Sequence, residues 1–235
     1  MQYFSEKFVR ENLSNCEYQL FPLPDINHFP DLIAQYPNLC GLNVTLPHKQ
    51  NITFFLDKID AQARAVGAVN CVSFDSQKNT CGHNTDVYGF KQSLLPLLQK
   101  SQSRHPKALV LGTGGAAKAV QYVLEQLGIS YLNVSRTPQK TSPQISYEQL
   151  SPQIMAAFSL IINTTPVGMF PNIQYCPPIP YSLITADHLC YDLIYNPQTT
   201  LFLQKAAQQG ASIKNGLEML YLQAEKSYEI WQECK

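Results

Sequence analysis

Apolar and polar positions along this chain alternate between short apolar runs and longer amphipathic ones, the pattern of buried strands and covering helices. Residues 3–12 are spaced as a helix, and residues 17–23 as a strand that stops at proline. A helix over 29–35 and a strand over 41–45 follow, the strand ending in Leu46-Pro47. Short helices are predicted at 50–56 and 61–66. Two strands, 68–74 and 80–84, are joined by a turn at 76–79, and a long amphipathic helix covers 85–99. Polar residues 100–106 read as a linker. Beyond them the pattern predicts strands at 108–111, 130–134, 160–163, 190–194 and 211–214. Helices fall at 118–127, 199–209 and 217–233. Strand and helix in alternation predict an α/β fold with parallel sheets. The linker divides it into domains of residues 1–100 and 101–215, and the last helix, within 216–235, returns to the first domain.

Composition narrows the function. The 235 residues carry a formal net charge of zero and 45 % hydrophobic residues. With no Lys/Arg block, nucleic acid is not an expected partner. No apolar run reaches the length of a membrane span, and the charged N-terminus does not read as a signal peptide. Seven cysteines, scattered and without a C-x-x-C pair, suit reduced thiols in the cytoplasm. The five histidines are equally dispersed, so no metal site is expected.

The most specific local signal is KALVLGTGGAAKA at residues 107–119. A buried-strand run breaks into Gly112-Thr113-Gly114-Gly115-Ala116-Ala117 and continues as a helix, the setting of a dinucleotide fingerprint. Gly112 permits the tight turn, Gly114 removes a Cβ from the path of a pyrophosphate, and Ala117 lets helix and strand pack closely. The helix-start N–H groups attract the anion. An NAD-binding unit carries Asp or Glu about 20 residues past the glycines. Here the next strand ends in Ser135-Arg136-Thr137, with Lys140 close by. Two hydroxyls and a guanidinium suit a 2′-phosphate, so NADP is expected over NAD.

The first half supplies polar groups for a substrate. Asn43-Val44-Thr45-Leu46-Pro47-His48-Lys49 leaves the C-terminal end of a strand, where ligands bind in open α/β sheets. Gly67-Ala68-Val69-Asn70 adds an amide. Gly82-His83-Asn84-Thr85-Asp86 adds an amide, a hydroxyl and a carboxylate at a helix start. Asn84 or Thr85 also reads as a plain N-cap, and Asp86 as a partner of the helix dipole.

Together NVTLPHK, GAVN, GHNTD, GTGGAAKA, SRT, NTTPVGM, YDLIYNPQTT and GLEMLYLQA closely resemble the shikimate dehydrogenase family over nearly the whole chain. The resemblance implies an oxidoreductase of aromatic amino-acid biosynthesis that reversibly reduces 3-dehydroshikimate to shikimate. Its first domain binds substrate, its second is Rossmann-like and binds NADP, and it acts as a monomer or homodimer. By matching position, Lys49 and Asp86 become the catalytic pair, with either able to transfer the proton. Thr45, Asn70, Tyr195 and Gln223 hold the substrate. Gly112, Thr113, Gly114, Gly115 and Ala116 cradle the pyrophosphate. Ser135, Arg136, Thr137 and Lys140 bind the 2′-phosphate, and Leu193 and Gly216 lie along the nicotinamide. The resemblance also admits a quinate/shikimate dehydrogenase preferring NAD, or an impaired cofactor-binding remnant. Family members open with a strand and a G-x-P-x-x-H-S-x-S loop whose serines bind the substrate carboxylate. The sequence here opens Met1-Gln2-Tyr3-Phe4 with Ser5 inside the predicted helix, which implies weakened substrate binding and an open edge in the first sheet.

Overall fold

The structure is a computed structural model that describes residues 2–100, 105–139 and 144–233. The chain forms two compact units, residues 1–39 and 40–235. The smaller holds α1 (Gln2–Arg10) and α2 (Phe29–Gln35). Residues 17–23 belong to no strand or helix, contrary to the sequence pattern. Among its described residues this unit has no other strand to pair with, and Pro22 and Pro24 have no N–H to donate to a ladder. The apolar side chains of the segment make ring contacts instead. Tyr18 stacks on Phe4 at 4.6 Å between centroids, and Phe21 meets Tyr36 at 4.7 Å.

The larger unit contains two sheets. The first consists of β1 (Gly41–Asn43), β2 (Lys58–Ile59), β3 (Cys71–Phe74) and β4 (Thr80–His83), in the order β1-β3-β4-β2. It is mixed, not parallel as expected. β3 pairs antiparallel with both β1 and β4, and only β2 and β4 run parallel. The turn between β3 and β4 is too short for a parallel crossover. It is closed by Asp75, whose Oδ1 accepts from the N–H groups of Gln77 and Asn79 at 2.9 and 2.8 Å. Two helices follow the strands, α3 (Ala61–Val66) and α4 (Thr85–Leu98).

The second sheet is wholly parallel. Its strands are β5 (Ala108–Leu111), β6 (Tyr131–Val134), β7 (Gln144–Ile145), β8 (Leu160–Asn163), β9 (Leu189–Asp192) and β10 (Ser212–Lys214), in the order β10-β9-β8-β5-β6-β7. Every residue of β5, β8 and β9 is buried, because helices cover both faces. Ala108, Val110, Ile162 and Tyr191 pack with α4 and with α5 (Gly115–Gln126). Leu109, Leu111, Ile161 and Cys190 pack with α6 (Pro152–Ala157) and α7 (Leu201–Gln208). The chain leaves β5 in one direction for β6 and returns on its other side as β8, which makes the C-terminal ends of β5 and β8 the switch point where such sheets bind ligands.

The last helix, α8 (Leu217–Glu233), packs along α4 and reaches β3. Close approach needs Gly89, since a Cβ there would lie 2.6 Å from the Met219 carbonyl oxygen. At the far end, Trp231 donates Nε1–H to the Val72 carbonyl at 3.1 Å. Its ring covers Gly41, where a Cβ would fall 2.2 Å from ring atoms. Trp231→Ala is therefore expected to cost about 3–5 kcal/mol of stability, whereas Trp231→Phe, which loses chiefly the N–H bond, should cost about 1–2 kcal/mol. Urea unfolding of both variants checks this, and equal losses would mean that the ring's packing is not what seats α8.

Candidate functional site

Four segments of the larger unit converge on one polar cluster. Lys49 sits in the turn after β1, and its carbonyl accepts from the Val69 N–H at 2.7 Å. Asp86 lies in the first turn of α4, whose N-cap is Asn84. The Asn84 side chain accepts from the Val87 N–H at 3.3 Å and donates to the Ala68 carbonyl at 2.8 Å. These anchors bring Lys49 Nζ to 2.6 Å from Asp86 Oδ2, with side chains only 15 % and 8 % exposed. A pair so enclosed is not a surface salt bridge, and each charge depends on the other for compensation.

Asn70, just before β3, orients the carboxylate. Its Oδ1 accepts from the Thr85 N–H at 2.7 Å. A backbone N–H only donates, so the Asn70 NH₂ faces the other way. Its two hydrogens are shared among Asp86 Oδ1 at 2.9 Å, Thr85 Oγ1 at 3.0 Å and, more weakly, Gln223 Oε1 at 3.3 Å. The network continues into α8. Ser227 donates to the Gln223 carbonyl at 2.9 Å and accepts from Asn43 Nδ2 at 2.9 Å. With its proton used, it accepts again from the Thr85 hydroxyl at 3.0 Å. Lys49, Asp86, Asn70 and Gln223 thus share one network, as a common site requires. Ser227 escaped the sequence reading, although it stands four residues beyond Gln223 on the same helix face. Asn43 and Thr85 were visible only as members of their motifs. Thr45 and Tyr195 are exposed and take no part in these bonds.

The glycine turn lies beside this cluster. Gly112 has φ +106°, and a Cβ on it would meet Thr164 Oγ1 at 2.8 Å and Thr165 Cγ2 at 2.9 Å. Gly114 faces open space, with nothing within 4 Å of a Cβ position. α5 begins at Gly115, three residues earlier than its apolar pattern suggests. A Cβ on Gly115 would be 3.6 Å from the Lys49 Cβ, so the helix start abuts the stem of Lys49. The first-turn N–H groups, those of Gly115 and Ala116 among them, have no acceptor within the helix, and Thr113 is exposed before them. At the end of β6, Ser135 is buried and its Oγ accepts from the Thr137 N–H at 3.3 Å, while Arg136 and Thr137 are exposed. Lys140 lies outside the described residues. Across the sheet, Gly216 presses on Leu193 so closely that a Cβ would be 2.0 Å from the Leu193 oxygen. An open glycine turn, unpaired helix N–H groups and an exposed guanidinium at the next strand end fit a dinucleotide bearing a 2′-phosphate.

Asp192, at the end of β9, is fully buried. Burial pushes its carboxyl from 3.8 up to about 6, against the hydrogen bonds from Thr200, Ile194 and Asn163 that favour the charged form. The folded state therefore holds this proton to higher pH than the unfolded chain. The stability it confers is complete below pH 3.8 and lost as pH rises through about 6. Wild type is expected to lose roughly 2–3 kcal/mol relative to Asp192→Asn between pH 4 and pH 7. Urea titrations of both proteins at the two pH values check it, and parallel pH dependence would contradict it.

A cavity of about 350 Å³ opens along α4, with His83, Tyr88, Lys91, Tyr122 and Lys226 among its walls, but Lys49 and Asp86 do not line it. No helix among the described residues is long and apolar enough to cross a membrane.

Residues 2–72 match the family described as shikimate dehydrogenase substrate binding domain. The chain is 39 % identical to the shikimate dehydrogenase (NADP(+)) of Methanococcus maripaludis strain S2, over 97 % of this chain and 85 % of that one. Among solved structures, shikimate dehydrogenase 1 from Peptoclostridium difficile superposes with a TM-score of 0.86 at 34 % identity, covering all of this chain and 86 % of that one. The Thermus thermophilus shikimate 5-dehydrogenase, solved in complex with NADP(H) and shikimate, gives a TM-score of 0.77 at 29 % identity, over 91 % of this chain and 80 % of that one.

Proposed function

The chain belongs to the shikimate dehydrogenase family, and on that premise we propose that it reversibly reduces 3-dehydroshikimate to shikimate with NADP(H), as a cytoplasmic enzyme of aromatic amino-acid biosynthesis. The observation that carries this reading is the enclosed Lys49–Asp86 pair at 2.6 Å, set against the first turn of the helix that follows the glycine turn. Bound NADP(H) supplies or takes up the hydride. The chain's residues must then give or take one proton at the substrate oxygen. Lys49 and Asp86 are the titratable groups of the network. An oxygen placed beside both exchanges its proton with one while the other holds it in line. Asn70 keeps the carboxylate turned toward Lys49, and a substrate hydroxyl would enter its network by replacing the long 3.3 Å bond between its amide and Gln223 Oε1, while Thr45 and Tyr195 offer donors and acceptors from the exposed side. Gly112, Thr113, Gly114, Gly115 and Ala116 receive the pyrophosphate, Ser135, Arg136, Thr137 and Lys140 the 2′-phosphate, and Leu193 and Gly216 form the nicotinamide floor. In this division residues 1–100 with 216–235 serve the substrate and residues 101–215 the cofactor.

Initial rates with shikimate or quinate, each with NADP⁺ or NAD⁺, test the proposal. Fastest turnover with shikimate and NADP⁺ is expected. Preference for quinate and NAD⁺ would reassign the enzyme, and no turnover with any pair would refute an active dehydrogenase.

A further inference from the structure

Asp192 carries no counter-ion: among the described residues no cation lies within ion-pair distance of its buried carboxylate. Such a group is costly to keep inside a protein, and it is held only by neutral donors. Asn163 Nδ2 and the Ile194 N–H donate to Oδ1 at 3.0 and 3.1 Å, and the Thr200 hydroxyl donates to Oδ2 at 2.6 Å. The donors come from three separate segments, namely the end of β8, the turn after β9 and the N-cap of α7. From Asn163 the bonding continues through Oδ1, which accepts from the N–H and hydroxyl of Thr165 at 3.1 and 2.7 Å. The Thr165 methyl, together with the Thr164 hydroxyl, bounds Gly112 in the glycine turn, 2.9 Å from where a Cβ would lie. In the other direction, the Ile194 carbonyl accepts from the Gly216 N–H at 3.0 Å, and Gly216 rests on Leu193.

We propose that Asp192 is a positioning residue that fixes the Leu193–Gly216 floor relative to the glycine turn, and so sets where the nicotinamide end of the cofactor lies. The proposal rests on the cofactor site described above. Asp192 is buried away from both reactants. It acts through Ile194, Asn163 and Thr165, whereas the adenosine end, at Ser135–Thr137, lies beyond its reach on the far side of β5.

That asymmetry provides the test. Asp192→Ala removes all three bonds. Asp192→Asn retains an acceptor for Asn163 and Ile194 but sets an NH₂ against the Thr200 hydroxyl. Calorimetric titration with NADPH and, separately, with adenosine 2′,5′-bisphosphate compares the whole site with its adenosine end. Asp192→Ala is expected to weaken NADPH binding by about tenfold or more, the loss of one to two hydrogen-bonded supports, while the bisphosphate binds as to wild type. Asp192→Asn should fall between, and it decides the matter if the alanine variant does not fold. The ratio of kcat/KM for NADP⁺ to that for NAD⁺ should stay unchanged as kcat declines. Equal weakening of both ligands would reduce Asp192 to a structural role, and unchanged NADPH binding would dismiss it altogether. Wild-type protein that binds neither ligand would overturn the cofactor-site reading and this inference with it. Wild-type binding of both, with no split in the variants, overturns the inference alone.

Discussion

Lys49→Ala is expected to lower kcat by about 10²–10⁴-fold, the usual contribution of a general acid or base, while NADP⁺ binding persists. The Lys49 ammonium is 2.6 Å from Asp86 and nearly enclosed, so its removal takes away a proton-transfer group and leaves a carboxylate without its partner. The turn proposed to receive the pyrophosphate, between β5 and α5, would bind it through backbone N–H groups, which do not depend on the lysine's charge. Steady-state rates at saturating shikimate give kcat, and fluorescence titration gives the affinity for NADPH. Asp86→Asn should bring a loss of similar order, and the double variant should fare little worse than the weaker single one, because groups that act as a unit are not additive. A Lys49→Ala enzyme with near-normal kcat would remove Lys49 from the chemistry whatever its KM.

Reversing the charge at residue 136 should have the second largest effect. Arg136 is exposed at the end of β6, next to the bond between the Thr137 N–H and Ser135 Oγ. A charge-assisted contact to a phosphate contributes roughly 1.5–3 kcal/mol, equivalent to about 10–100-fold in affinity. Arg136→Asp replaces that attraction with repulsion of a 2′-phosphate and offers a carboxylate to a free 2′-hydroxyl. The ratio of kcat/KM for NADP⁺ to that for NAD⁺ is expected to fall by at least about a hundredfold, with kcat for NAD⁺ little changed. An unaltered ratio would place the 2′-phosphate elsewhere.

Where local chemistry is strong, the sequence and the structure coincide. α3 spans Ala61–Val66 as read, because Asp60 caps one end, accepting from the Ala63 N–H at 2.6 Å. Gly67 closes the other with φ +69°. β5 and β8 also coincide with their apolar runs. The failures are non-local. Residues 17–23 have strand-like composition, but a strand exists only with a neighbour. The two-residue strands β2 and β7 are too short to leave a period in the sequence. That Lys49, Asp86, Asn70 and Gln223 belong together was legible because each lies in a distinctive motif, and they share one hydrogen-bond network. Ser227 was not, since its meaning comes from Asn43, 184 positions away. Asp192 was equally opaque, because a carboxylate at a strand end shows its burial only once Asn163 and Thr200 have folded around it.

In the proposed reaction the substrate's reacting oxygen lies between Lys49 and Asp86, within reach of a cofactor held at the glycine turn. A crystal structure of the protein with shikimate and NADP⁺ tests it most directly. The reacting hydroxyl oxygen is expected within about 3 Å of Lys49 Nζ or Asp86, and the nicotinamide ring against Leu193 and Gly216. Shikimate bound away from this pair, or a nicotinamide turned out from the Leu193–Gly216 floor, would contradict it.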